Sequence, residues 1–118
     1  MWLRALHFYV IAIPYFTEEP ENVNAAEDET IEFHCKASGV PEPQIKWIHN
    51  GRPITEGAVN PRRKVTPNSI VIHNLKKNDT GNYGCNATNS LGYVYKDVYV
   101  NVLGKYPLGF RKKTWVMM

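Results

Sequence analysis

Two cysteines and the residues around them limit what this chain can become more than anything else in it. Cys35 and Cys85 lie 50 positions apart, and Trp47 follows the first by twelve. The second closes the run Asp79-Thr80-Gly81-Asn82-Tyr83-Gly84-Cys85. Two thiols so placed are a disulfide, a pair of unrelated buried thiols, or half of a metal site. A metal site needs more ligands. The chain has no Cys-x-x-Cys, and His7, His34, His49 and His73 show no ligand spacing, which argues against structural zinc. Between bonded and inert thiols, the redox compartment decides.

The patterning around these residues has period two. Ile31, Phe33, Cys35 and Ala37 alternate with Glu32, His34 and Lys36, the mark of a half-buried strand. Ser38-Gly39-Val40-Pro41-Glu42-Pro43 is expected to break it, because two prolines do not fit inside a central strand. Gln44 to His49 resumes with Ile45 and Trp47 on one face, and Asn50-Gly51 is a strong hairpin turn before the edge piece Arg52-Pro53-Ile54. Thr55 to Pro61 reads as irregular. Arg62 to Thr66 and Ser69 to Leu75 read as strands around a turn at Pro67-Asn68. Gly81 to Thr88 places Tyr83, Cys85 and Ala87 inward, and Tyr93 to Leu103 keeps Val98, Val100 and Val102 in step. No segment carries a helical period of useful length. Short strands separated by frequent turns predict an all-β sandwich or barrel.

Bringing the inward faces together explains Tyr83. In a two-sheet sandwich, a tryptophan packs over two cysteines that face each other between the sheets. A tyrosine two residues before the second cysteine then returns its hydroxyl to the turn at Lys77 to Asp79. Asp79 opens that turn and accepts nearby backbone N–H groups, and Gly81 permits a backbone that a side chain would hinder. Tyr83 is thus read as part of the fold, since a reactive phenol needs a base or cation beside it. The joint pattern of Cys35, Gly39-x-Pro41-x-Pro43, Trp47, Asn50-Gly51 and the Asp79–Cys85 run predicts an immunoglobulin-like two-sheet Greek-key sandwich.

The stretches FHCKASGVPEPQIKWIHNGRPI and SIVIHNLKKNDTGNYGCNATNSLGYVYKDVYVNVL resemble immunoglobulin domains of the intermediate (I) set. PYFTEEPENVNAAEDETIEFHC, NPRRKV and CNATNSLGYVYKDVYVNVL are similar to a neuronal adhesion family that includes neurofascin, in the fourth immunoglobulin domain of its members. The resemblance covers residues 14–103. It implies a cell-surface interaction module for homophilic adhesion of the axon-guidance kind. Its partners would be immunoglobulin domains of the same or a related protein, and Cys35 and Cys85 would be bonded. The chain departs from that family in four ways. It has one domain and no membrane span, and GKYPLGFRKKTWVMM after Leu103 resembles nothing in the family. The glycine usual before the first long strand is replaced by Glu27-Asp28-Glu29. These departures point to a fragment or a mispredicted gene product.

The expected organisation is an apolar segment over 1–14, an I-set domain over 15–103, and a basic and apolar tail over 104–118, disordered or artefactual. MWLRALHFYVIAIP resembles a signal peptide, but His7 and Tyr9 interrupt it and no small-x-small cleavage site follows. A strand extension or a mistaken gene start are the other readings. If the chain stands alone and this segment works, the protein is secreted, as a binder or decoy. An intracellular structural I-set domain is the remaining alternative.

The net charge of +3 comes from the ends. Residues 15–103 hold 9 Lys/Arg against 11 Asp/Glu, a net of −2, whereas a nucleic-acid binder carries a basic patch on its folded body. Arg62-Arg63-Lys64 is read as a solvated edge strand with one member paired to Asp79, ahead of a sulphated-glycan contact. Arg111-Lys112-Lys113 falls short of a polybasic membrane cluster. No G-x-S-x-G, phosphate-cradling glycine loop or H-E-x-x-H is present, so no enzyme activity, small-molecule substrate, metal or cofactor is expected. Asn78-Asp-Thr80 and Asn86-Ala-Thr88 are N-glycosylation acceptors, and Asn86 faces outward if Cys85 faces in.

Overall fold

A computed structural model of the chain describes residues 8–55 and 60–104. The early part of the signal-like segment, the centre of the irregular stretch after Thr55, and the tail with Arg111, Lys112 and Lys113 lie outside them. The described residues form ten strands: β1 (Ala12–Glu18), β2 (Val23–Ala26), β3 (Ile31–His34), β4 (Lys36–Val40), β5 (Gln44–His49), β6 (Arg52–Pro53), β7 (Arg63–Thr66), β8 (Ser69–Ile72), β9 (Gly81–Asn89) and β10 (Gly92–Leu103). A single 3-10 turn, Lys77–Asp79, precedes β9.

Two layers result. One holds β2-β10-β9-β5-β6, with β2 parallel to β10 and the other pairs antiparallel. The other holds β3-β8-β7, all antiparallel. Only Cys35 separates β3 from β4, and β4 pairs antiparallel with β1, which extends this second layer. The chain is an all-β immunoglobulin-like sandwich.

The inward alternation fills the space between the layers. Ile31, Phe33 and Cys35 face Trp47, Tyr83, Cys85, Val98, Val100 and Val102, with Ile70, Ile72 and Leu75 closing the centre. Each fully buried aliphatic side chain contributes about 1.5–3 kcal/mol. Cys35 and Cys85 are bonded and fully buried. Trp47 is the cross-strand partner of Cys85. Its indole N–H donates to the Thr66 carbonyl on β7 at 3.1 Å, so this one ring packs on the disulfide and also ties the two layers by a hydrogen bond.

Three local features differ from, or refine, the sequence reading. The strand from Ile31 does not break at Ser38-Gly39 but runs to Val40, because β1 lies beside it in register Tyr15↔Ser38 and Ala12↔Val40. Gly39 permits that approach: a Cβ there would stand 3.2 Å from the Pro14 Cα and from the Ala12 oxygen. The break comes at Pro41, whose carbonyl, like that of Ala12, accepts from the Asn89 side-chain amide at 2.9 Å. Second, β1 begins at Ala12 and buries Pro14, so pairing reaches into the apolar segment. Third, the turn lacking glycine is made by Asp28 at φ +73°, a left-handed conformation that aspartate tolerates better than most residues. Asn50 and Gly51, at φ +48° and +80°, form the hairpin turn between β5 and β6.

The disulfide closes a loop of 50 residues, which in the chain-entropy relation stabilises by about 4 kcal/mol. We expect Cys35→Ala/Cys85→Ala to lower the urea-unfolding free energy by about 3–5 kcal/mol. Added reductant should lower the midpoint of the parent chain and leave that of the double variant unmoved. A parent chain insensitive to reductant under unfolding conditions would contradict this.

Candidate interaction surface

The residues flagged by sequence divide into an interior corner and a surface. The corner is built on the Lys77–Asp79 turn. The Asp79 carboxylate accepts the Lys76 N–H at 2.8 Å and takes Arg62 in a two-pronged pair at 2.7 and 3.1 Å. The Asp79 carbonyl accepts the Tyr83 hydroxyl at 2.8 Å. Arg62 also donates to the Asn74 carbonyl at 3.1 Å. Tyr83 is fully buried, stacked on His49 at 4.1 Å and tilted against Phe33 at 5.4 Å. Gly81, at φ +150°, lies against the Asn50 side chain, with which any Cβ would collide. Asn50 in turn accepts the Asn82 N–H at 2.9 Å.

Charge and burial shift the titrations here. Burial pushes the Asp79 carboxyl up, but the Arg62 and Lys76 hydrogen bonds and the nearby guanidinium charges outweigh it and hold it below its ordinary 3.8. Burial, then the charge of Asp79, pushes the Tyr83 phenol up to about 12. Burial lowers His49, outweighing its hydrogen bond to the Asn82 backbone. Each shift follows from packing: Tyr83 is fully buried and its hydroxyl is engaged by the Asp79 carbonyl.

The basic triplet is not presented as one patch. Arg62 is engaged by Asp79, Arg63 is half-buried opposite Ile72, and only Lys64 stands exposed, opposite Val71. Asn78 is exposed on the 3-10 turn, and its Thr80 hydroxyl accepts the Val102 N–H at 3.1 Å. Asn86 is half-buried on the outer face of β9, where its side-chain carbonyl accepts the Thr88 hydroxyl.

The outer face of the five-stranded layer carries a tyrosine row that the sequence reading passed over. Tyr93, Tyr95 and Tyr99 are 68%, 44% and 47% exposed along β10. They stand opposite Thr88, Asn86 and Asn82 of β9. Beyond β9, Gln44 and Lys46 of β5 oppose Thr88 and Asn86. The alternation in Tyr93-Val-Tyr95-Lys-Asp97-Val-Tyr99 was the available signal, with the valines marking the buried side. This face is aromatic and polar, a composition suited to contact with another folded surface. Among the described residues, no group of three or more His, Cys, Asp or Glu is placed to hold a metal, and no helix is long and apolar enough to cross a membrane.

Comparison with known proteins agrees with this architecture. The family model of the immunoglobulin I-set domain matches residues 14–102. Neuroglian of Drosophila melanogaster is 66% identical over 98 residues, covering 83% of this chain and 8% of that protein. Neurofascin of Gallus gallus is 38% identical over 98 residues, covering 83% of this chain and 7% of that protein. The crystal structure of the insect immune protein hemolin, whose domain arrangement is described with implications for homophilic adhesion, superposes with a TM-score of 0.70 at 33% identity, over 79% of this chain and 23% of that one. The chain thus spans under a tenth of the length of the neuroglian and neurofascin relatives. It belongs to the immunoglobulin I-set family, and its relatives include neural and neuronal cell adhesion molecules.

The corner gives stability two pH limits. Because the Asp79 value is lowered on folding, its contribution is whole above about pH 4–5 and is lost as pH falls through the lowered value. Because the Tyr83 value is raised, its contribution is whole below about pH 10 and is lost as pH rises towards 12. Tyr83→Phe should cost about 1–1.5 kcal/mol at neutral pH and flatten the alkaline limb of a denaturation profile. Asp79→Asn should flatten the acid limb. Unchanged limbs in these variants would contradict the assignment.

Proposed function

We propose that this domain is an extracellular adhesion module. It binds immunoglobulin domains of the same or a related cell-surface protein, in homophilic contact of the axon-guidance kind, and it works as one unit of a longer receptor, at the fourth immunoglobulin position. The observation that carries this reading is the 66% identity to neuroglian over 98 residues, 83% of this chain. The mechanism is complementarity between folded surfaces, with no bond made or broken in the partner. The buried Cys35–Cys85 bond supports an oxidising compartment over the intracellular structural alternative.

Homophilic contact of this kind is weak per pair and is read best through many pairs at once. Beads densely coated with the full chain should aggregate with one another and with beads carrying the neuroglian ectodomain. Soluble chain in excess should disperse them, and reduction of the disulfide should abolish clustering. Beads that stay dispersed while the coated chain shows native unfolding would overturn the adhesive reading.

A further inference from the structure

The tyrosine row and one of the two glycosylation acceptors meet at a single place on the outer face of the five-stranded layer. Asn86 is the direct cross-strand neighbour of Tyr95 on one side and of Lys46 on the other. Side chains so paired on one face of an antiparallel pair are in contact range. Two positions before Asn86 along the same face lies Gly84, a buried glycine. A Cβ at Gly84 would collide with the Tyr95 ring and hydroxyl. The ring therefore does not stand up from the sheet. It leans along β9 onto Gly84, with its hydroxyl 3.3 Å from the Asp97 carboxylate. The Oη, Cζ and Cε1 end of the ring lies over Gly84, and Tyr95 stays 44% exposed beside Asn86.

The Asn86 amide is oriented for use. Its carbonyl oxygen is occupied by the Thr88 hydroxyl. Its nitrogen has no hydrogen-bond partner among the described residues. Asn78 differs, since it stands on the Lys77–Asp79 turn outside both sheets.

We propose that Asn86 carries an N-linked glycan whose first N-acetylglucosamine lies on the open face of the Tyr95 ring. An aromatic face is electron-rich, and the C–H groups on one side of a pyranose are its natural neighbours. In the modification, the Asn86 Nδ2 forms a bond to C1 of the first sugar as the C1–O bond to a lipid-linked pyrophosphate donor breaks. The amide loses one proton and the lipid pyrophosphate leaves. The glycan then covers the centre of this face, and Gly84 is the residue that makes room for the ring beneath the sugar. The inference rests on the extracellular reading above.

The full chain, secreted behind a supplied cleavable signal from cells held at high-mannose glycans and trimmed with endoglycosidase H, tests it. Peptide mass should show a single N-acetylhexosamine on Asn86, retained in Asn78→Gln and lost in Asn86→Gln. The trimmed chain should melt about 2–6 °C above Asn86→Gln. That difference should persist in Tyr95→Phe, which keeps the ring, and vanish in Tyr95→Ala. Taking the difference within each background removes the intrinsic cost of the substitution. An unmodified Asn86, or a sugar-dependent increment that survives Tyr95→Ala, would overturn the proposal. Export is supplied in this experiment, so its failure leaves the extracellular reading untouched. That reading stands or falls on the state of Cys35 and Cys85 in native material.

Discussion

The structure hangs on the contact between Trp47 and the Cys35–Cys85 bond. A sandwich of this size has little interior, and among the described residues no strand of the five-stranded layer pairs with one of β3-β8-β7. The disulfide joins Cys35, between β3 and β4, to the middle of β9, and Trp47 on β5, the cross-strand partner of Cys85, packs over it. By donating to the Thr66 carbonyl at 3.1 Å, the same indole reaches the far layer at β7. The covalent tie and the ring thus fix both the separation of the layers and the placement of β7, which carries no disulfide of its own. Ile70, Ile72, Leu75 and the valines of β10 then fill a space whose dimensions are already set.

The Asp79 corner is the second fixed point. It draws a buried carboxylate, the guanidinium of Arg62 just before β7, a backbone N–H and the Tyr83 hydroxyl into one cluster in which each polar group has a partner. Removing one member would leave the others buried and unpaired, which is why such a cluster is costly to break. Its shifted titrations are consequences of that satisfaction, and they belong to packing and not to chemistry.

Most of this was legible in the chain because its causes are local. The Asp79–Tyr83 relation spans five residues and follows from a turn and a two-residue strand period. Asn50-Gly51 announces its hairpin by needing positive φ at both positions. What was not legible depends on partners distant in sequence. Ser38-Gly39 looked like a breaker until β1, more than twenty residues upstream, lay alongside it and used Gly39 as the point of close approach. The surface falls between these cases. The short turn at Ser90-Leu91 sets Asn89 opposite Gly92, and counting back from there sets Asn86 opposite Tyr95. The pairing could therefore be counted from the sequence. The lean of the Tyr95 ring onto Gly84 could not, because it depends on side-chain conformation and on the absence of a Cβ across the strand.

An I-set sandwich that works outside the cell as an adhesion module keeps its core cysteines bonded in native material. The most direct test is to alkylate the native protein in intact cells and in their medium, digest it without reduction, and map the peptides holding Cys35 and Cys85. The two peptides should be recovered joined, with neither cysteine alkylated. Recovery of both as separate alkylated peptides from denatured native material would contradict it, and would place the same fold in a reducing compartment.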